Sequence, residues 1–338
     1  MARFGWKGSG IAMYRWPVKF AFLAAAALSA ALGLAQLALA QFRADVRLVH
    51  VVATVKDRFG KLQTGLQKED FLISDNGIPQ EIKLFERQSD QPLSVALMID
   101  TSGSTLKDLK FETDAAAKFV KALLSEGNPR DALSLWSFDY DDHEVTNFTH
   151  RMDLLESRLK TIHGDAGTSL FDAIWFASHE LESRDGRKAL IIVTDGGNTT
   201  SYRDSHQALE AAQLADAVIY PVVVIPITSD AGRNTGGENF LTFAAQGTGG
   251  RTFQPSLGSQ LDQAFRDIIA ELRTEYLLGY YPRNVPPTKN RFHTLQVRVK
   301  PPELQVFARN GYYGEAEASI GTTPDARISL EPAKRGER

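Results

Sequence analysis

Four runs of this chain are apolar at nearly every position: residues 93–99 (LSVALMI), 133–138 (LSLWSF), 189–193 (ALIIV) and 218–225 (VIYPVVVI). A strand without a polar face has to be covered on both sides, which is the situation of a strand inside a mostly parallel sheet. Amphipathic segments lie between and beyond these runs, at 106–124, 168–181, 205–215 and 257–272, and Ala115, Phe119 and Ala122-Leu123 recur at helical spacing. Strand and helix alternating in this way predict an α/β fold with a doubly wound, mostly parallel sheet and crossovers of one hand.

The flanks read differently. Residues 46–55 are β-branched and apolar, and Asn76-Gly77 separates the apolar runs 71–73 and 82–85, the strongest short signal for a hairpin. Pro79, just past that turn, points to an edge strand. Towards the other end, 276–281 is apolar, and Leu295, Val297, Val299, Leu304, Val306 and Ala308 alternate with polar residues, as in sheets wet on one side. Five segments are therefore expected. Residues 1–40 are a signal peptide or N-terminal anchor, and 45–90 and 274–314 are two parts of one small β-sandwich-like domain. Residues 91–273 are an α/β domain inserted between those parts, and 315–338 form a polar, aperiodic, disordered tail.

Lys7, Arg15 and Lys19 precede an uncharged apolar stretch over residues 20–40 that ends in Ala38-Leu39-Ala40. This is the layout of a secretory signal; an uncleaved anchor is the alternative, because the stretch is also long enough to span a bilayer. In either case the remainder is expected to be exported, periplasmic or secreted, and to touch a membrane only through that segment. The 338 residues include no Cys, which excludes disulfides, thiolate metal sites and Cys nucleophiles, and leaves buried apolar area and a bound ion as the sources of stability. A formal net charge of -3 offers no basic field for nucleic acid.

In an open α/β sheet, ligands bind in the crevice beyond the carboxyl ends of the strands. The run 93–99 leads into Asp100-Thr101-Ser102-Gly103-Ser104, the run 189–193 leads into Thr194-Asp195-Gly196, and Gly167-Thr168-Ser169 precedes a helical segment. Hydroxyls and carboxylates without His or Cys form a hard-ligand set suited to Mg²⁺, with Mn²⁺ or Ca²⁺ as alternatives. If the neutral Ser102, Ser104 and Thr168 bind directly while Asp100 and Asp195 act through water, the cation keeps most of its charge. Its open position then favours a carboxylate from a partner. The plainer reading of an Asp after a strand is an N-cap for the next helix.

Asp100-x-Ser102-x-Ser104, a distant Thr168 and the Asp195 of Thr-Asp-Gly resemble the metal-ion-dependent adhesion site of von Willebrand factor type A domains, whose order of elements the stretch 91–272 follows. Lys68-Glu69-Asp70-Phe71, Asp75-Asn76-Gly77, Tyr276-Leu277-Leu278-Gly279-Tyr280 and Arg309-Asn310-Gly311-Tyr312 extend the similarity to the exported bacterial von Willebrand A-related proteins common in Acidobacteria. The resemblance implies a binding protein and not an enzyme, in which the cation held by those five residues captures an Asp or Glu of a protein partner, for adhesion or assembly. A scaffold module of an envelope complex, with a metal that only braces the loops, is the alternative. A Ser-dependent hydrolase built from Ser102, Asp195 and His206 is weaker, because Asp100 and Ser104 stand where a nucleophile elbow needs glycines. The acidic run 139–144 reads as a solvated loop on the rim of the site and the glycine-rich run 232–237 as a mobile loop near it. Trp136, Phe138 and Trp175 read as core.

Overall fold

The computed structural model describes residues 48–314 apart from 88–90, 126, 225–233, 287 and 289. The expected signal or anchor (1–40) and the expected tail (315–338) lie outside the described residues. Among the described residues no helix is long and apolar enough to cross a membrane.

The described chain opens with β1 (Val49–Lys56), β2 (Phe71–Asp75), β3 (Ile78–Gln80) and β4 (Ile82–Arg87). Asn76 and Gly77 have φ of 47° and 80°, the left-handed pair that a two-residue turn between β2 and β3 requires. β3, which carries Pro79, lies at the edge of its sheet.

Next come β5 (Leu93–Asp100), α1 (Leu109–Ser125), β6 (Ala132–Phe138), β7 (Asp142–Thr149), α2 (Met152–Leu159), α3 (Leu170–Glu182) and β8 (Arg187–Thr194). α4 (Ser205–Leu214), β9 (Ala217–Val223), α5 (Thr235–Thr248) and α6 (Ser259–Thr274) complete this part. The sheet runs β7-β6-β5-β8-β9, with β5, β6, β8 and β9 parallel and β7 antiparallel at one edge. The expected doubly wound α/β fold is present. Every residue of β5 is buried, and the period of two in a strand divides them between two helical layers. Leu93, Val95, Leu97 and Ile99 pack with Phe119, Leu123, Phe265 and Ile268, while Ala96 and Met98 pack with Leu170, Ile174, Ala212 and Leu241. Full burial of one such side chain is worth roughly 1.5–3 kcal/mol, so this interior fixes where the strand ends stand.

Three expectations are corrected. The acidic run is a loop only in part: residues 139–141 bend there with Tyr140 exposed and Asp139 buried, but Asp142 begins β7, pairing with Phe138 to cover the outer edge of β6. Residues 234–237 form the start of a helix, with Asn234 Oδ1 capping α5 by accepting from Gly237 N at 2.9 Å; residues 232 and 233 lie outside the described residues. Trp136 and Phe138 are core, but Trp175 is half-buried, with the Arg203 guanidinium 3.7 Å above its ring and the tilted His179 ring also at 3.7 Å. An amphipathic ring under a guanidinium gains cation–π attraction without entering the core.

After α6 the chain passes through Glu275 straight into β10 (Tyr276–Tyr280), which pairs with both β1 and β4; β11 (Phe292–Val299), β12 (Gln305–Ala308) and β13 (Gly311–Tyr313) follow. Two four-stranded sheets result, β12-β1-β10-β4 and β13-β11-β2-β3. Val51, Val55, Phe71, Ile73, Tyr276, Leu278 and Leu295 from both sheets form one core. The chain thus leaves these sheets after β4 and returns at β10, where Arg87 stands opposite Tyr276 in register.

Within this β layer the fully buried Asp75 accepts hydrogen bonds from the Tyr280 and Tyr312 hydroxyls, both at 2.8 Å, and lies 3.0 Å from His293 Nδ1. Removing one partner from a buried charged network costs about 3–5 kcal/mol, and a single neutral hydrogen bond about 1 kcal/mol. Asp75→Ala is therefore expected to lose about 3 kcal/mol in urea unfolding and Tyr280→Phe about 1 kcal/mol. Glu81→Ala, which removes only exposed pairs with Lys83 and Arg283, is expected to leave the midpoint unchanged.

Candidate metal centre

The carboxyl ends of β5 and β8 and the loop before α3 meet at one edge of the parallel sheet. Asp100, the last residue of β5, has no exposure, and donors meet both of its carboxylate oxygens. Ser102 N donates to Oδ1 at 2.9 Å and Thr194 Oγ1 donates to Oδ2 at 2.5 Å. The loop after Asp100 is held on both sides. Thr105 Oγ1 lies within donating distance of Asp100 O (2.9 Å) and Ser102 O (3.0 Å), while Thr101 Oγ1 reaches Asp139 Oδ2 at 3.0 Å. So held, the loop brings Ser102 Oγ and Ser104 Oγ to 3.2 Å from each other.

Thr168 comes from the loop before α3. Its N donates to Thr199 Oγ1 at 3.0 Å and its O accepts from Thr199 N at 2.8 Å and Thr200 N at 3.1 Å, which stitches this loop to the one after β8. Gly167 sits at φ 96°, and a Cβ there would lie 3.1 Å from Tyr140 Cα in a backbone region that L side chains rarely adopt. Asp195 Oδ1 accepts from Gly197 N at 3.0 Å. A Cβ on Gly197 would stand 3.2 Å from Thr168 Oγ1 and 3.3 Å from Asp195 Oδ1, so those two oxygens border one small space. Ser104 is exposed and Asp195 half-buried, whereas Asp100, Ser102 and Thr168 are buried, so the cluster opens to solvent on the Ser104 and Asp195 side.

Burial pushes Asp100 up to about 6, against the hydrogen bonds from Ser102 and Thr194, and the Asp195 charge pushes the same way as burial. Among the described residues no group of three His, Asp or Glu is placed to hold a metal, so a cation here would rely on hydroxyl oxygens beside two carboxylates. That donor set suits a small hard cation. The residues of the hydrolase reading are not brought together: His206 is 74% exposed, 3.9 Å from Glu210, with no hydrogen bond to Ser102 or Asp195.

Residues 95–198, which include all five expected ligands, match the sequence model of the von Willebrand factor type A domain. The chain contains a von Willebrand factor type A domain. The A domain's solved likenesses include the vWF domain of the type V pili tip protein Mfa5 from Porphyromonas gingivalis. It is 15% identical, with 54% of this chain and 95% of that chain covered and a TM-score of 0.46. The conserved hypothetical protein BatB from Bacteroides thetaiotaomicron is 19% identical, with 53% and 97% covered and a TM-score of 0.43. No curated protein matches the chain.

Two buried side chains of the A domain escape the sequence reading. Thr194, the first residue of Thr-Asp-Gly, bridges the two strands by donating to Asp100 and accepting from Gly196 N at 2.9 Å. Glu112 is 1% exposed in the first turn of α1. Burial, then the charges of Asp100, Asp108 and Asp195, push it up to about 8. The signal for Glu112 is in the sequence, since it shares the inward stripe of α1 with Ala116, Phe119 and Leu123, where a carboxyl is out of place.

Asp100 and Glu112 both have folded-state pKa values above the ordinary carboxylate range, so their neutral forms favour folding at low pH. That contribution is lost as pH rises through about 6 and then about 8. In chelator, the thermal midpoint is accordingly expected to fall as pH is raised from about 5 to about 8, and Glu112→Gln to flatten the upper part of that slope. Differential scanning calorimetry across a pH series checks both.

Proposed function

We propose that the A domain holds a divalent cation, Mg²⁺ with Mn²⁺ or Ca²⁺ as alternatives, through Asp100, Ser102, Ser104, Thr168 and Asp195. Through it the chain captures an Asp or Glu of a protein partner outside the cytoplasm. One observation carries this reading: each Asp100 carboxylate oxygen already accepts one hydrogen bond, from Ser102 N or Thr194 Oγ1, while two hydroxyl oxygens stand 3.2 Å apart beyond it. Neutral oxygens neutralise none of the charge of an ion they bind. A cation on this edge would supply an electrophilic position for an incoming carboxylate.

Two exposed apolar side chains on the neighbouring loops support a docking role. Tyr140 is 60% exposed, beside Gly167, and Leu106 is 42% exposed, with Cδ2 2.7 Å from where a Cβ on Gly164 would lie. Apolar contact around a charged anchor keeps water from it, which is how a small interface gains affinity. The basic start and the apolar stretch 20–40, ending in Ala-Leu-Ala, support export.

The protein immobilised in Mg²⁺ is expected to retain an envelope protein that is released by chelator and restored by Mg²⁺. Ser104→Ala, at an exposed position, is expected to keep the circular dichroism spectrum of the wild type and to weaken Mg²⁺ by roughly tenfold or more in calorimetric titration, with capture reduced in step. Capture that is indifferent to chelator and to Ser104→Ala would overturn the adhesive reading.

A further inference from the structure

We infer that Ser201, Asn198 and Asp172 are positioning residues of the centre: they exchange helix caps between α3 and the loop after β8, and so set the spacing of Thr168 and Asp195. The inference rests on the metal reading given above. Ser169 is the N-cap residue of α3, and Ser-x-x-Asp over residues 169–172 is the sequence of a capping box. In such a box the first side chain accepts from amides of the first turn and the last reaches back to the N-cap amide. That box is not closed here. Ser169 makes no side-chain cap; its Oγ donates instead to Asp142 Oδ1, 2.6 Å away at the start of β7.

Both halves of the box are made with the loop after β8. Ser201 Oγ accepts from Phe171 N at 3.1 Å and from Asp172 N at 3.3 Å. Asn198 Oδ1 accepts from Phe171 N at 3.3 Å and from Ser201 Oγ at 2.5 Å. In return the Asp172 carboxylate, on a residue 4% exposed, accepts from Tyr202 N at 2.8 Å, Arg203 N at 2.9 Å and Arg203 Nη1 at 3.1 Å. A helix capped by its own N-cap side chain starts without reference to any other loop, whereas the first turn of α3 is registered on the loop that Asp195 begins. Between these anchor points Thr168 O accepts from Thr199 N and Thr200 N, and Gly197 N holds Asp195 Oδ1 at 3.0 Å. Thr168 and Asp195 thus belong to one closed frame of backbone, fastened at its far end by the exchanged caps.

The test is titration with Mg²⁺, Mn²⁺ and Ca²⁺ by calorimetry, together with hydrogen exchange over residues 168–173 in chelator. Both are made on the full chain and on Ser201→Ala, Ser201→Thr and Asp204→Ala. Asp204 caps α4 by accepting from Gln207 N, in a box confined to α4 and its own N-cap, so Asp204→Ala is the control for loss of a cap alone. Ser201→Ala is expected to quicken exchange over 168–173 without metal and to weaken Mg²⁺ about tenfold, and Ser201→Thr, which keeps the oxygen, to restore both. Asp204→Ala is expected to lower the thermal midpoint as Ser201→Ala does, with exchange over 168–173 and Mg²⁺ affinity at wild-type values. Wild-type exchange or wild-type affinity in Ser201→Ala, or an equal loss of affinity in Asp204→Ala, would overturn the positioning role and leave the five-residue site standing. A wild-type chain that takes up none of the three cations, with exchange still quickened in Ser201→Ala, would overturn the metal reading and the positioning role with it.

Discussion

A carboxylate without contact to water is tolerable only where donors meet its oxygens, and the loop edge of this protein is organised around one such group. β5 is sealed on both faces, so its first ionisable group is its last residue, Asp100. Ser102 N comes from the loop that follows and Thr194 Oγ1 from β8, so satisfying Asp100 ties two strands and a loop together. The two serine hydroxyls, the turn beyond β8 and, through it, Thr168 take their positions from that arrangement.

The opposite end of the parallel sheet is also pinned, by ion pairs. Lys56 of β1 reaches Glu271 of α6 at 2.6 Å, and Arg251 reaches the same oxygen at 2.7 Å. One turn on, Glu275 sits between Arg187 at 3.2 Å and the Tyr220 hydroxyl at 3.1 Å. Burial pushes Glu275 up to about 7 although Arg187 and Tyr220 oppose it. The covering helix, the β layer and the first residue of β8 are therefore locked where the chain returns from the A domain to β10.

How much of this is legible in sequence depends on the range of the forces involved. The sheet is legible because 93–99 and 189–193 are apolar on both faces, and the edge position of β3 because Pro79 cannot donate to a ladder. Asp100, Ser102, Ser104, Thr168 and Asp195 are legible as candidates because they follow strand ends or precede a helix. β7 is hidden by its acidic start, since what makes it a strand is the edge of β6 that it covers. The start of α5 is hidden by Gly236 and Gly237, poor helix formers locally; yet a Cβ on Gly237 would lie 1.6 Å from Gly196 O, so only glycine fits where the helix meets the loop that follows Asp195. Asp75 reads as a turn residue, and its partners Tyr280, His293 and Tyr312 lie more than 200 residues away.

The chain's departure after β4 and return at β10 has a mechanical side. Arg87 and Tyr276 face each other in an antiparallel ladder that continues to Ile82 and Tyr280, while β1 flanks β10 on its other side. Tension applied from beyond β1 and beyond β13 is then borne by the ladders of the two sheets. The A domain enters the chain between β4 and β10, so the pull reaches its two ends only once those strands are torn apart, although its α6 is also tied to β1 through Lys56 and Glu271. A chain tethered at its ends could be stretched without distorting the edge where Asp100 and Asp195 stand.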